Sequence, residues 1–299
     1  MTTYTYVARN KFRSVVLILM FIAIIVGIGY LYDLMYGGGI GSIVFAFLFA
    51  LISGLLGYYF SDQIALAVNG AKPLTEAQDP ELFHLVESLA LTVGIPMPRL
   101  YLIQDPALNA FATGRNPQHA AIAVTTGLRQ ILNKSELEGV LAHEMSHIKN
   151  YDILFMTLVS VFVGTITMLA DWFMRWGLFG GNRRRDNDSG NSSIRLVIMI
   201  IGIVLIVLSP VIATIIQLAI SRKREYLADA SGALITRYPE GLASALEKIR
   251  DTSQPMERAN KATAHMYIAN PLKGGTISKL FSTHPPLEDR IRILRGMNK

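Results

Sequence analysis

The chain has no cysteine, which excludes disulfide stapling and any thiolate metal site without identifying a redox compartment. A metal bound by this chain must be held by histidine and carboxylate. Charge is also scarce. Only 17% of the 299 residues are charged and 51% are hydrophobic, with a mean hydropathy of +0.37, too apolar for an average soluble enzyme. There is no internal repeat, and low complexity is confined to the Gly, Asn, Arg and Asp-rich connection 177–193, which reads as a loop.

The apolar residues are concentrated. Ser14 to Tyr32, Leu34 to Ser61, Ile153 to Ala170 and Leu196 to Ser221 each run uncharged for about 18 residues or more, enough to cross a hydrocarbon core of roughly 30 Å. Four transmembrane helices are expected, the first two at about 14–32 and 39–60. The first run exceeds the about 7 to 15 residues of a signal-peptide core, and no small-x-small cleavage site precedes Leu34, so it reads as an anchor. The net charge of +6 is partly juxtamembrane: Arg9, Lys11 and Arg13 precede the first span, and Arg222, Lys223 and Arg224 follow the fourth. This is positive-inside placement, not a nucleic-acid patch. The connection Asp33 to Gly41 has no basic residue, so the N-terminus is expected in the cytoplasm. Arg183, Arg184 and Arg185 lie in a connection expected outside, against the rule. With Asp171 and Arg175 near the end of the third span, they leave open that the third and fourth segments do not fully cross.

Residues 1–61 thus hold two spans and 153–221 two more, leaving soluble pieces at 62–152 and 222–299. Together these are roughly 170 residues, a normal size for one domain folded from both halves. Pro80 to Thr92 predicts an amphipathic helix with Leu82, Leu85, Val86 and Leu89 on one side, ended by Gly94, Pro96 and Pro98. Arg99 to Ile103 and Ala120 to Thr125 predict strands, with a turn at Arg115 to Gln118. Arg224 to Leu234, Glu240 to Arg250 and Leu287 to Arg295 predict helices, and Asp251 to Gly275 an irregular stretch. The fold class is α+β, mostly α, with a small β-sheet.

The chemistry lies in Val140-Leu141-Ala142-His143-Glu144-Met145-Ser146-His147. On a helix, His143 and His147 project from one face a turn apart, so both imidazoles can reach one zinc ion. Glu144 lies beside that face, where its carboxylate can take a proton from a water activated by the metal and return it to a leaving amine. Ser135 with Glu138 reads as the capping box of this helix, and Leu137, Val140 and Leu141 as its packing face. A catalytic zinc needs three protein ligands and an open position. Glu225 reads as the third ligand, with Asp229 four residues on accepting the free ring N–H of a liganding His. The alternative is that Glu225 only pairs with Arg222 or Arg224 on a solvated helix. His84, His119 and His265 have no partner at ligand spacing and read as surface or satisfied buried groups.

These motifs, with Asn109-Ala110-Phe111-Ala112-Thr113-Gly114, Arg224-Glu225-Tyr226-Leu227-Ala228-Asp229 and Thr283-His284-Pro285-Pro286, make the chain resemble HtpX-type membrane zinc metalloproteases, relatives of the CAAX prenyl proteases. The resemblance spans nearly the whole chain. It implies a zincin-like metallopeptidase domain at the cytoplasmic face of the inner membrane and one Zn2+ per chain. It implies His143, His147 and Glu225 as metal ligands, and Glu144 as general base. The implied partners are unfolded or damaged membrane proteins and the lipid bilayer, with no nucleic acid.

The resemblance also implies that Asn109, Ala110 and Phe111 lie on a strand at the cleft edge, where an extended substrate could pair. The alternative is a plain core strand with Phe111 packed inside. His284 could contact zinc or steady an oxyanion, and Arg290 could hold it or the substrate carbonyl; alternatively His-Pro-Pro is only a rigid entry to the last helix. The competing functions are a non-catalytic membrane adaptor or holdase and a CAAX-type prenyl-protein endopeptidase. An intact Glu144 argues against the adaptor, and four spans are few for a large intramembrane chamber.

Overall fold

The computed structural model describes residues 3–36, 39–179, 222–252, 254–257, 260, 262–272 and 285–297. The fourth apolar segment, the basic connection from residue 180 and His284 lie outside the described residues.

Three described helices are long and apolar enough to cross a membrane. Helices α1 (Thr3–Tyr36) and α2 (Ile40–Val68) both overrun their apolar segments. Helix α1 starts well ahead of Ser14 because its first turns are tied to protein: Asn10 and Ser14 are buried, and Ser14 Oγ donates back to Asn10 O at 2.9 Å. Helix α2 continues past Ser61 because Asp62 pairs with Arg99, while Ala65 and Leu66 pack beneath the sheet. The third helix, α6 (Asp152–Phe179), packs against both, with Phe162 stacked on Phe21 at 4.2 Å. Outward faces carry exposed Val15, Leu19, Phe45, Leu48, Ile52 and Leu55, a band of apolar surface suited to lipid. Over its apolar window α6 is 67% buried, against 22% for each of the first two. Its opening turns belong to the soluble domain as much as to the membrane, as the 3.1 Å contact between Thr157 Oγ1 and Thr113 Oγ1 shows.

The soluble domain begins with strand β1 (Lys72–Pro73) and helix α3 (Pro80–Val93), where Asp79 caps Leu82 N at 3.1 Å and Gly94 ends the helix at φ 75°. Strands β2 (Arg99–Ile103), β3 (Ala110–Gly114) and β4 (Ala120–Thr125) complete a mixed sheet of order β1-β2-β4-β3. β2 and β4 are parallel neighbours, and β3 lies antiparallel at the edge. After the short α4 (Thr126–Ile131) comes α5 (Lys134–Lys149), which crosses the sheet and carries both motif histidines.

The cap of α5 differs from the expected one. Glu136 N donates to Asn133 Oδ1 at 3.0 Å and Asn133 N donates to Glu136 Oε2 at 2.8 Å, so the box is Asn133 with Glu136 and not Ser135 with Glu138. The register is decided by partners from the other half of the chain: Ser244 Oγ and Lys248 Nζ each reach Glu136 at 2.7 Å. The Ser135 pattern falls inside the first turn.

From the second half come α7 (Arg222–Thr236), α8 (Pro239–Thr252) and α9 (Leu287–Gly296). One core is built from both halves, with Leu82, Leu89, Ile122, Leu141, Leu242, Leu246 and Leu294 in a single cluster. Close approach of α5 and α8 requires Gly139, where a Cβ would meet Leu242 N at 2.6 Å. Gly139→Ala should therefore force the helices apart and lower stability by about 1–3 kcal/mol. A thermal midpoint of the purified protein unchanged by this substitution would show that the contact yields freely.

Candidate metal centre

His143, Glu144 and His147 are buried on α5, and Glu225 is buried on the first turn of α7. The two imidazoles meet edge to face, 88° apart, with their Nε2 atoms 3.1 Å from each other. Glu225 closes the group: Oε2 is 3.8 Å from His143 Nε2 and Oε1 is 3.6 Å from His147 Nε2. One donor atom from each residue lies within 4.8 Å of the others. Gly232 brings α7 this near α5, since a Cβ there would stand 3.1 Å from His143 N.

Both outer ring nitrogens face carboxylates. His143 Nδ1 is 2.9 Å from Asp229 Oδ1, and His147 Nδ1 is 3.0 Å from Asp152 Oδ2. A carboxylate at Nδ1 selects the tautomer whose Nε2 lone pair is free, and those two lone pairs converge beside Glu225. Two imidazole nitrogens and a carboxylate form the donor set of a zinc site. Burial pulls the His147 imidazole down, but its bond to Asp152 and the charges of Glu225 and Glu144 outweigh it and, without a metal in place, push it up to about 9. His143 stays below its ordinary value because burial and Arg290 prevail over Asp229.

Glu144 belongs to a different part of the site. Its Oε2 is buried with no hydrogen-bond partner. Burial and the nearby Glu225 raise its pKa to about 7, against the pull of His147, the Ala112 amide and Arg290. A carboxylate near neutrality with an uncommitted oxygen is suited to exchanging protons.

Asp152 is the residue that sequence reasoning missed. Helix α5 stops at Lys149, Tyr151 takes a left-handed φ of 59°, and α6 starts at Asp152. This kink turns Asp152 back beneath His147. A carboxylate five residues after the second His was the available signal, but its reach depends on the kink.

Arg290 is engaged inside the protein. It is fully buried and grips Asp229 with two bonds, Nε to Oδ2 at 2.8 Å and Nη2 to Oδ1 at 2.7 Å. Its Nη1 donates to Ile268 O at 3.1 Å and lies 3.8 Å from Glu225 Oε2. Its fork is directed at Asp229, which places it to orient that carboxylate.

Asn109, Ala110 and Phe111 are likewise engaged within the protein. Asn109 Nδ2 donates to Ala269 O at 2.9 Å, and Ala110 O accepts from Ile268 N at 3.0 Å. Phe111 is fully buried against Tyr267. β3 is an edge strand, and among the described residues the segment at Tyr267 and Ile268 pairs with it at Ala110 and Phe111. Of the remaining histidines, His84 lies exposed near Glu76 and Glu87, His119 bonds Asn116, and His265 Nε2 lies 3.0 Å from Met156 O.

Known proteins share this architecture. The model of peptidase family M48 matches residues 76–298. A protease HtpX homolog of Caldanaerobacter subterraneus is 46% identical over 99% of this chain and 98% of its own length. One of Tropheryma whipplei is 45% identical over 98% of each. The crystal structure of Ste24p from S. mikatae shares the fold, with a TM-score of 0.52 and 22% identity over 93% of this chain; the match spans 62% of that structure. The match to a peptidase family, the near full-length likeness to HtpX homologues and the buried His, His and Glu group beside three apolar helices agree, and the chain belongs to peptidase family M48 as a membrane metalloprotease of the HtpX type.

Proposed function

We propose that the protein cuts internal peptide bonds of unfolded or damaged membrane proteins in protein quality control, using one zinc ion held by His143, His147 and Glu225. The observation that carries this reading is the convergence of three buried donors beside a carboxylate whose second oxygen has no partner. Zinc at such a site supplies Lewis acidity, toward the carbonyl being cut and toward water. Glu144 accepts the proton of the attacking water and returns it to the leaving amine. Asp229 and Asp152 hold the two imidazoles in one tautomer and orientation, and Arg290 fixes Asp229. Asn109, Ala110 and Phe111 support the cleft wall in this reading. Nothing in this arrangement suits a client-holding adaptor, which has no need of a base at its metal.

We place the site on the cytoplasmic face of the inner membrane. Arg9, Lys11 and Arg13 surround Asn10, which is bonded to Asn150 and Asp152 beside the site, and Arg222, Lys223 and Arg224 open α7 next to Glu225. The basic residues at the start of α1 and of α7 thus lie by the same end of the helical bundle, as the positive-inside rule requires.

The test is cleavage of casein by the full-length protein in detergent. Activity should stop on chelation and return with zinc. Glu225→Ala should lose both zinc and cleavage: outer-shell partners alone are worth about 10–100-fold in metal affinity, and a ligand should be worth more. A Glu225→Ala protein that holds zinc like the wild type would move the third ligand elsewhere.

A further inference from the structure

The first membrane helix reaches the metal centre directly. Asn10 on α1 is buried, and its Nδ2 donates to Asp152 Oδ1 at 2.7 Å and to Asn150 O at 2.9 Å. Both partners are acceptors, so the amide orientation is determined by its surroundings, and its two hydrogens match the two bonds. These bonds bracket the left-handed Tyr151. One holds the residue that ends α5, and the other holds the carboxylate that opens α6. With Oδ1 pinned by Asn10 and approached by Arg224 Nε at 3.5 Å, Asp152 presents Oδ2 to His147 Nδ1 at 3.0 Å. The chain of contacts runs from α1 to Asp152 to His147, all buried and therefore shielded from competing water.

We propose that Asn10 is a positioning residue for His147, acting through Asp152, so that metal affinity depends on how the first membrane helix is docked. The proposal rests on the reading of His147 as a zinc ligand. Without the Asn10 amide, Asp152 is free to turn about its Cβ–Cγ bond toward Arg224. His147 then loses its fixed tautomer, and the Asn150 carbonyl is left buried without that donor. Apolar packing of Leu17 and Phe21 against α6 also holds α1 in place, so the test must separate the hydrogen bond from helix docking. Ser14 provides the comparison: it is buried one turn further along α1, and among the described residues its hydroxyl bonds within the helix, to Asn10 O.

The experiment measures zinc affinity of the full-length protein in detergent by competition with a chelating dye, together with the visible spectrum after cobalt substitution. Asn10→Ala should bind zinc about 10-fold more weakly, at the lower end of the range for outer-shell partners, with an altered cobalt spectrum. Asn10→Asp keeps the size of the side chain but removes the donor and sets a like charge against Asp152, and it should weaken zinc at least as much. Ser14→Ala should stay within about twofold of the wild type, since it leaves those bonds intact. Equal weakening by Asn10→Ala and Ser14→Ala would assign the effect to docking alone and overturn the proposal. So would wild-type affinity in Asn10→Asp. His147→Ala is the separate control: if it keeps zinc, the ligand assignment itself fails, whereas its loss of zinc beside an unaffected Asn10→Ala defeats only the role of Asn10.

Discussion

Glu144→Gln should retain a full complement of zinc while kcat falls about 10²- to 10⁴-fold, the usual worth of a positioned general acid–base group. The amide matches the carboxylate in shape but cannot take a proton from water. Glu144 stands outside the His143, His147 and Glu225 group, so metal content should not change. KM should move little, because the lost function is proton transfer and not substrate binding. Stability should hold or rise: the substitution removes a buried carboxylate whose Oε2 has no partner and whose pKa burial already raises to about 7, and burying a neutral amide is less unfavourable than burying a charge. Casein cleavage, zinc per chain and the thermal midpoint, measured on one preparation, test all of this. Turnover within a few-fold of the wild type would show that the base is another residue.

Arg290→Ala should be the most destabilising single change in the soluble domain, by about 3–5 kcal/mol, because it leaves Asp229 charged, buried and without its principal partner. The present pair is bidentate and fully enclosed. Arg290 holds the Asp229 carboxyl at about 2 even though burial raises it. Arg290→Lys should fall in between, keeping the charge but losing the planar fork. Zinc affinity should weaken along with stability, since Asp229 also holds His143. Had Arg290 served a substrate carbonyl, the alanine variant would fold normally and lose only turnover. Unfolding curves and zinc titrations of the three proteins distinguish the two roles, and a stable, zinc-replete, inactive Arg290→Ala would refute the orienting role of this arginine.

The three described helices of membrane-spanning length were legible because hydrophobic length is a local property of sequence. Their ends were not, because Asn10, Asp62 and Leu66 are helical for tertiary reasons: each is held by the soluble domain. The Asn133 and Glu136 cap was hidden behind an equally good Ser135 and Glu138 pattern, and only Ser244 and Lys248, more than a hundred residues away in the chain, separate the two.

Helical spacing alone was enough to set His143 beside His147, and Glu225 beside Asp229, because a period of 3.6 residues places positions four apart on one face. Those residue types are the ones a metal group of this kind uses. Which carboxylate serves which histidine was decided by the tertiary structure, through the kink at Tyr151 for Asp152 and the close approach of α7 for Asp229. The enclosure of Arg290 and Phe111 was decided there as well, for burial depends on neighbours supplied by other elements. Sequence determined which groups are present and their local periodicity, whereas long-range packing determined which of them touch.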